Sequence, residues 1–391
     1  MRCDILIIGG GIVGSSIAYH LAHEGRANGT GGEIVVIEPD PSYEFAATPR
    51  ANGGIRQLFS LPENIAMAQY GLAFFRDFET AMAVDGEPAP IGFKRQGYLL
   101  ISDAGEHDQM ARNFRTQTEH GVRADCLDRA ALGARFPSLR TDDVALAVHS
   151  PDDAWIDPHA ALQGFRRKAR SLGVRYLSDR VVDWQGDGRL ARRAILASGE
   201  VVEADAHVLA AGAWSAEVGA QIGLELPVEP MSRETYFFRA AGEIEELPFI
   251  KTETHLAFRP EGEGFAGGLP DWSTPPGWNF ELSPNGFEER VWPALARRIP
   301  ALEQLKLERS WAGHYARNRL DLTAIIGAWS GGLENVTMAV GFSGHGIMHA
   351  PAAGRALAEL ILDGRYGTLD LTRFGYARVR ENAPYREIGI V

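Results

Sequence analysis

The feature that most constrains this chain is an apolar strand running straight into three glycines and a helix: Asp4-Ile5-Leu6-Ile7-Ile8, then Gly9-Gly10-Gly11-Ile12-Val13-Gly14, then Ser15 to Glu24. A helix that opens on such a turn offers unpaired N–H groups and the positive end of its dipole to whatever lies beyond the strand. Gly9 permits the tight turn, Gly11 lets backbone approach a pyrophosphate and Gly14 lets helix and strand pack closely, with Ile12 and Val13 on the same turn. The next predicted strand, Glu33 to Glu38, ends on an acid followed by Pro39, where a carboxylate accepts hydrogen bonds from ribose hydroxyls. Glu38 lies 24 residues after Gly14, and the residues from Gly25 to Gly32 read as a lengthened surface turn. A dinucleotide site is the expectation.

With 391 residues the chain has room for two or three domains, and 45% apolar with 23% charged residues describes a globular protein with a substantial core. The net charge of −12 argues against nucleic acid or anionic membrane as a partner. Lysine occurs four times (Lys94, Lys168, Lys251, Lys306), so the positive charge is almost all arginine; Arg166, Arg167, Lys168 and Arg170 read as the wet face of a helix. Cys3 and Cys126 have no zinc or disulfide-framework spacing, and His20 and His23 lack a third ligand, so no metal is expected. Ile5 to Tyr19 is uncharged like a signal-peptide core, but Asp4 flanks it and three glycines interrupt it. No run reaches the length of a membrane span. A soluble cytoplasmic protein without integral membrane association is expected.

Further on come a glycine loop with two arginines (Arg50 to Gln57), a helix from Leu61-Pro62-Glu63 to about Thr80, a Pro/Gly break and a strand, Gly97 to Ile101. Pro158 opens a helix (His159 to Leu172) before strands at Val174 to Leu177 and Arg180 to Trp184. Ala206 to Trp214 reads as a buried strand ending in small residues, and strands dominate from Leu226 to Leu307. The tail offers a strand (Asn335 to Val340), a glycine loop (Gly341 to Gly346) and a helix from about Ala350 to Leu362. The expected architecture is α/β: a Rossmann-like FAD-binding domain in segments 1–82, 151–225 and 308–391, and an inserted α+β substrate domain with an antiparallel sheet in 83–150 and 226–307. That discontinuity favours FAD over NAD, because the long cofactor has to be held at both ends by distant parts of the chain.

Gly341-Phe342-Ser343-Gly344-His345-Gly346-Ile347 is the second informative motif. A glycine loop at a helix N-terminus suits the N1 and C2 carbonyl of a flavin, where negative charge gathers on reduction. With these motifs the chain resembles the D-amino-acid oxidase superfamily of FAD-dependent oxidoreductases, in its sarcosine oxidase, glycine oxidase and dimethylglycine dehydrogenase branch. The likeness runs through Gly9 to Gly14, Glu38, Ala210 to Trp214, Trp311-Ala312-Gly313 and Gly341 to Gly346. Asn52 to Gln57, Ser60 to Asn64 and Trp311 to Tyr315 look most like a group of FAD-dependent oxidoreductase domain proteins linked to respiratory complex I assembly. The resemblance implies that Ala211, Gly212 and Trp214 pass near the cofactor and that Val181 and Val182 flank the adenine. It also implies that the loop holding Arg50, Asn52, Gly53, Gly54 and Arg56 runs beside the flavin.

Sarcosine oxidases attach flavin to a cysteine in the segment matching Gly313 to Tyr315, and dimethylglycine dehydrogenase uses a histidine near the early loop. Here Ala51 and Asn52 supply no nucleophile, so FAD is expected to be noncovalent, with His314 the one alternative linkage site. Where sarcosine oxidases place a carboxylate-binding lysine after the glycine loop, this chain has Met348, and their oxygen-activating lysine finds no counterpart in Gly264 to Asp271. A dehydrogenase is therefore expected over an oxidase, with a separate electron-transfer partner. The expected reaction is oxidation of a C–N bond in a secondary or N-methyl amino acid by hydride transfer to flavin N5. Arg56 would clamp the substrate carboxylate, with Arg50 a flavin or loop contact. His255, His314 and His345 are the candidate proton acceptors, Tyr315 joins His314 in lining the pocket, and Phe258 and Met348 are candidate apolar walls. Oxidation of a 2-hydroxy acid and a protein-binding assembly role are the alternatives.

Overall fold

The computed structural model describes residues 1–29 and 32–389. Its first sheet follows the order Ile325–Ala328, Val336–Val340, Val201–Leu209, Arg2–Ile8, Ile34–Ile37, Arg175–Leu177. The last five of these run parallel, and a hairpin of Val181–Gly186 and Ala191–Leu196 hangs from Val201–Leu209. Ile34–Ile37 and Val336–Val340 are buried throughout, which is why the first reads as an unbroken apolar run and the second as apolar but for Thr337. The helix Ile12–Asn28 packs against Gly346–Asp363 and Pro158–Ser171. It approaches the former so closely that a Cβ at Gly354 would stand 2.3 Å from Ser16 Oγ.

The second sheet has the order Leu305–Asn318, Val228–Ala240, Gly264–Gly268, Ala257–Glu261, Phe249–Thr252, Tyr98–Ser102, Leu146–Ser150, Asp125–Leu127, and is antiparallel except where Phe249–Thr252 meets Tyr98–Ser102. Strand alternation divides its side chains. Tyr236, Phe238, Ile250, Phe258 and Phe265 fill a core on one face. Tyr98, Leu100 and Phe249, on the other, join the core shared with the helices of the first sheet. Phe258 is thus a core residue on the face opposite Ala257 and Arg259, not a pocket wall.

Several elements differ from their sequence expectation. The first helix continues through Gly25 to Asn28 and is capped by Gly29 at φ 68°, so the turn expected over Gly25 to Gly32 shrinks; Thr30 and Gly31 lie outside the described residues. The final helix starts at Gly346, not near Ala350, and holds Pro351 inside it. The helix expected to reach Thr80 breaks at Asp77 into Pro62–Arg76 and Phe78–Ala81. The strand expected over Ala206 to Trp214 spans Val201–Leu209, and Gly212–Trp214 forms a 3₁₀ turn. Within the region expected to be mostly strand, Phe287–Val291 and Trp292–Arg298 are helical, the latter rich in the helix formers alanine, leucine and arginine. Leu305–Asn318 runs unbroken past residue 307 and pairs along its length with Val228–Ala240.

Asp321, fully buried, ties the end of that strand to the C-terminal segment: its Oδ2 accepts from Arg378 Nε at 2.8 Å and from Tyr385 N at 3.0 Å, and its Oδ1 from Asn318 Nδ2 at 2.9 Å. Removing one partner of a buried ion pair strands the other, so Arg378→Met is expected to cost about 3–5 kcal/mol. Denaturant unfolding checks this by a lowered midpoint.

Candidate active site

Because the strands Arg2–Ile8, Ile34–Ile37, Val201–Leu209 and Val336–Val340 are parallel, Gly9, Glu38, Ala210 and Gly341 gather along one edge of the first sheet. Gly9 adopts φ +104°, and a Cβ there would lie 2.4 Å from the Ala210 carbonyl oxygen; a Cβ at Gly14 would lie 1.9 Å from Gly9 O. A Cβ at Gly11 would meet nothing closer than Thr48 Oγ1 at 3.9 Å, so that side of the helix N-terminus is open. Ile12 N points to the same hydroxyl at 3.4 Å, and Val13 is half-buried beside it. Glu38 is held by backbone donors, Oε2 accepting from Gly10 N at 2.8 Å and Oε1 from Asp40 N at 3.1 Å, while burial pushes its carboxyl above the ordinary value. Pro39 is exposed. An open helix N-terminus beside a fixed carboxylate suits a diphosphate with its ribose.

Val182 and Trp214 lie on the surface, the latter stacked on Trp278 at 4.3 Å, with Ala211 and Gly212 at the start of the turn. Arg50 reaches across to the second sheet: Nε donates to Glu44 O and Nη1 to Ala312 O, both at 2.6 Å, while Trp311 Nε1 donates to Arg50 O at 3.0 Å. It therefore acts as a clamp between segments. Asn52 O accepts from Arg259 Nε at 2.6 Å, and Asn52 Oδ1 is buried with no partner among the described residues. Such an orphan acceptor suits an N–H group of a bound ring. Gly53, at φ +73°, has no room for a Cβ, which would sit 2.1 Å from Ile156 O; at Gly54 a Cβ would meet Tyr98 Oη at 2.8 Å.

At the other end of the edge, Ser343 N donates to Ala316 O at 2.9 Å and Asn318 N to Ser343 Oγ at 2.9 Å, fastening the glycine loop to the long strand of the second sheet. Gly341 and Gly344 take φ of +69° and +101°, and a Cβ at Gly344 would come within 2.6 Å of the Tyr315 ring. Phe342, Ile347 and Met348 are buried in the core, and Gly346 begins the 18-residue helix. Arg56, also buried, donates from Nη1 to Leu58 O, lies 4.1 Å over the Phe59 ring and places Nη2 3.2 Å from His345 Nε2. A guanidinium only donates, so Nε2 accepts and the neutral His345 carries its proton on Nδ1. Burial, then Arg56, holds His345 well below its usual range, which keeps it neutral.

The structure brings Arg56, His345 and Tyr315 together, and adds two cations the sequence reading missed. Arg233 stacks 5.0 Å over Tyr315 and 4.5 Å over Trp272, whose ring also meets His255 at 5.4 Å. Lys251 lies on the same sheet face as Phe249, and burial followed by Arg56 and Arg233 lowers it well below the ordinary lysine value. His314 is not brought in: alternation turns it away from Gly313 and Tyr315, and its Nε2 accepts from Asn279 N at 2.9 Å between Trp278 and Phe280. Met348 is packed among core residues. The strand Gly264–Gly268 lacks lysine as the sequence indicates, yet Lys251 arrives from two strands away, so that lack no longer argues against an oxidase.

Residues 4–360 match the family model described as FAD dependent oxidoreductase. The chain belongs to this family. This FAD-dependent oxidoreductase is 36% identical to FAD-dependent oxidoreductase domain-containing protein 1 of Xenopus laevis, over all of this chain and 85% of that one. It is 28% identical to 4-methylaminobutanoate oxidase (formaldehyde-forming) of Paenarthrobacter nicotinovorans, over 94% of this chain and 45% of that protein. The crystal structure of L-proline dehydrogenase from P. horikoshii superposes with a TM-score of 0.87 at 26% identity, covering 98% of this chain and 99% of that one. No helix among the described residues is long and apolar enough to cross a membrane, and these residues hold no cluster of three or more side chains fit for a metal.

Two outcomes follow for the oxidoreductase. Gly14→Val forces a side chain into Gly9 O, and the variant is expected to purify without the yellow flavin absorbance of the parent. Asp153, buried beside Gln57, whose N and Nε2 donate to it at 3.1 and 2.8 Å, has its carboxyl pushed up from 3.8 to about 7, chiefly by burial. A raised folded value means its contribution to stability is complete below about pH 4 and is lost as pH rises through about 7. The stability of Asp153→Asn relative to wild type should therefore increase across that window in urea titrations.

Proposed function

We propose that this FAD-dependent oxidoreductase oxidises the carbon–nitrogen bond of a secondary or N-methyl amino acid whose carboxylate lies on Arg56. The observation that carries the reading is a buried guanidinium, in contact with His345 and without an ion pair among the described residues, beside the N-terminus of the Gly346–Asp363 helix. A planar fork in that position holds both oxygens of a carboxylate and fixes the adjacent carbon. The names of two relatives, an oxidase of a methylamino acid and a dehydrogenase of proline, support an amine of this kind.

On this reading Gly9 to Gly14 hold the FAD diphosphate, Glu38 the ribose, and Asn52 with the Gly341 to Gly346 loop the redox ring. FAD, when bound, supplies the two-electron acceptor for the C–N bond. Around it the chain's own groups set the protonation of the amine. A secondary ammonium has an ordinary pKa of about 10, by analogy with lysine. Arg56 and Arg233 repel it, so the amine enters as its free base and its proton leaves to solvent or to neutral His255. His345 serves to hold Arg56, because the lone pair it would use as a base is taken by the arginine. FAD is held without a covalent bond, since His314 faces away from Tyr315 and is engaged with Asn279.

Anaerobic mixing tests the reaction: N-methyl amino acids and proline should bleach the flavin, increasingly fast as pH rises, and 2-hydroxy acids should not. Bleaching by hydroxy acids alone contradicts it. Arg56→Met should keep its flavin and raise the KM for such substrates about 100-fold, as expected for a lost charge-assisted hydrogen bond.

A further inference from the structure

One face of the second sheet carries more positive charge than a single carboxylate balances. Lys251 stands opposite Ala257 and Leu100, Ala257 opposite Gly268, and Arg233 opposite Gly313. Between the two side chains the floor is therefore Ala257 and Gly268, with Thr235, two residues from Arg233, on the same face. Neighbouring strands lie about 4.8 Å apart, so three spacings put the strands of Lys251 and Arg233 roughly 14 Å apart, a gap that two long side chains reaching in from either side narrow to the size of a carboxylate. Arg233 is fixed by its stacking on Trp272 and Tyr315, and Nη1 spends one hydrogen on Ser232 O at 3.1 Å. Stacking sets the plane of a guanidinium without cancelling its charge and leaves its edge free to donate.

The nearby acids are committed elsewhere. Asp271, whose charge also acts on Arg233, pairs with Arg290 at 2.9 Å, and Asp153 is bonded to Gln57. Among the described residues neither Lys251 nor Arg233 forms an ion pair, and Lys251 makes no hydrogen bond through Nζ. A monocarboxylate on Arg56 would leave these two half-buried groups without an ion pair, whereas a second carboxylate between them would answer Arg233 and restore the ammonium form that the surroundings of Lys251 disfavour.

We infer that the substrate carries a second carboxylate, seated between Lys251 and Arg233 while the first lies on Arg56: an N-substituted amino dicarboxylic acid. This rests on the reading of the site as an amino-acid-oxidising centre. Calorimetric titration of the FAD-loaded protein with acetate and propionate against malonate, succinate and glutarate tests it without turnover. At least one dicarboxylate should bind about 10- to 100-fold more tightly than the monocarboxylates, the worth of an added charge-assisted bond. Its affinity should also fall more steeply with salt. Lys251→Met and Arg233→Met, checked for flavin content, should each remove that excess, and Arg233→Lys should keep part of it.

Equal affinity for mono- and dicarboxylates, binding of neither, or an excess that survives in both methionine variants overturns the inference. A Lys251→Met protein that binds dicarboxylates normally but reoxidises slowly in air also overturns it. Anaerobic bleaching separates this claim from the reaction itself. If N-methylalanine bleaches the flavin as readily as N-methylaspartate, the second carboxylate is refuted and amine oxidation stands. If dicarboxylates bind preferentially but no amine bleaches the flavin, the charge pairing stands and the reaction is refuted.

Discussion

With no Cβ at residue 14, the first helix starts in contact with the Gly9 carbonyl, and the Gly9 Cα in turn rests against Ala210. Everything at the site is referred to that contact. It fixes the helix N-terminus over the end of the Arg2–Ile8 strand, and the parallel pairing of that strand carries Glu38, Ala210 and Gly341 to the same edge. A larger residue at either glycine would push helix from strand and break the alignment that lets one extended cofactor lie along the row. The far end of the row is secured differently, by main-chain hydrogen bonds from Ser343 and Asn318 that lace the glycine loop to the second sheet.

The two sheets contribute different chemistry. The first supplies backbone N–H groups and helix dipole, which recognise phosphate without a lysine or arginine. The second supplies basic side chains, Arg233 and Lys251, near Arg56 on the connecting loop. Few acids offset these groups, in a chain whose net charge is −12, so the positive field is local. On the proposed reading such a field would attract a carboxylate and favour the unprotonated amine in the same stroke, with solvent or His255 taking the proton.

What was legible in the sequence was what is local in the chain. The Gly9 to Gly14 turn, Glu38 and the Gly341 to Gly346 loop each declare themselves within a few residues, because turn geometry and helix ends are set by neighbours. Arg56 was legible for the same reason, as a cation in a glycine loop. Lys251 and Arg233 were not, since each sits inside a strand and gains meaning only from register with strands far away in the chain. The phase of Leu305–Asn318 was equally hidden: His314 and Tyr315 are adjacent in sequence, yet one turns to Trp278 and the other to the site. Lys251 did leave a signal, a charge directly after the apolar Leu247-Pro248-Phe249-Ile250 in a chain with four lysines.

The most direct measurement is a crystal structure of the FAD-loaded protein with a bound carboxylate ligand. The account predicts the diphosphate at the open side of Gly11, the redox ring between Asn52 and the Gly341 to Gly346 loop, and the ligand's carboxylate on Arg56. A carboxylate seated away from Arg56, or a ring shut off from it by the Leu305–Asn318 strand, would contradict it.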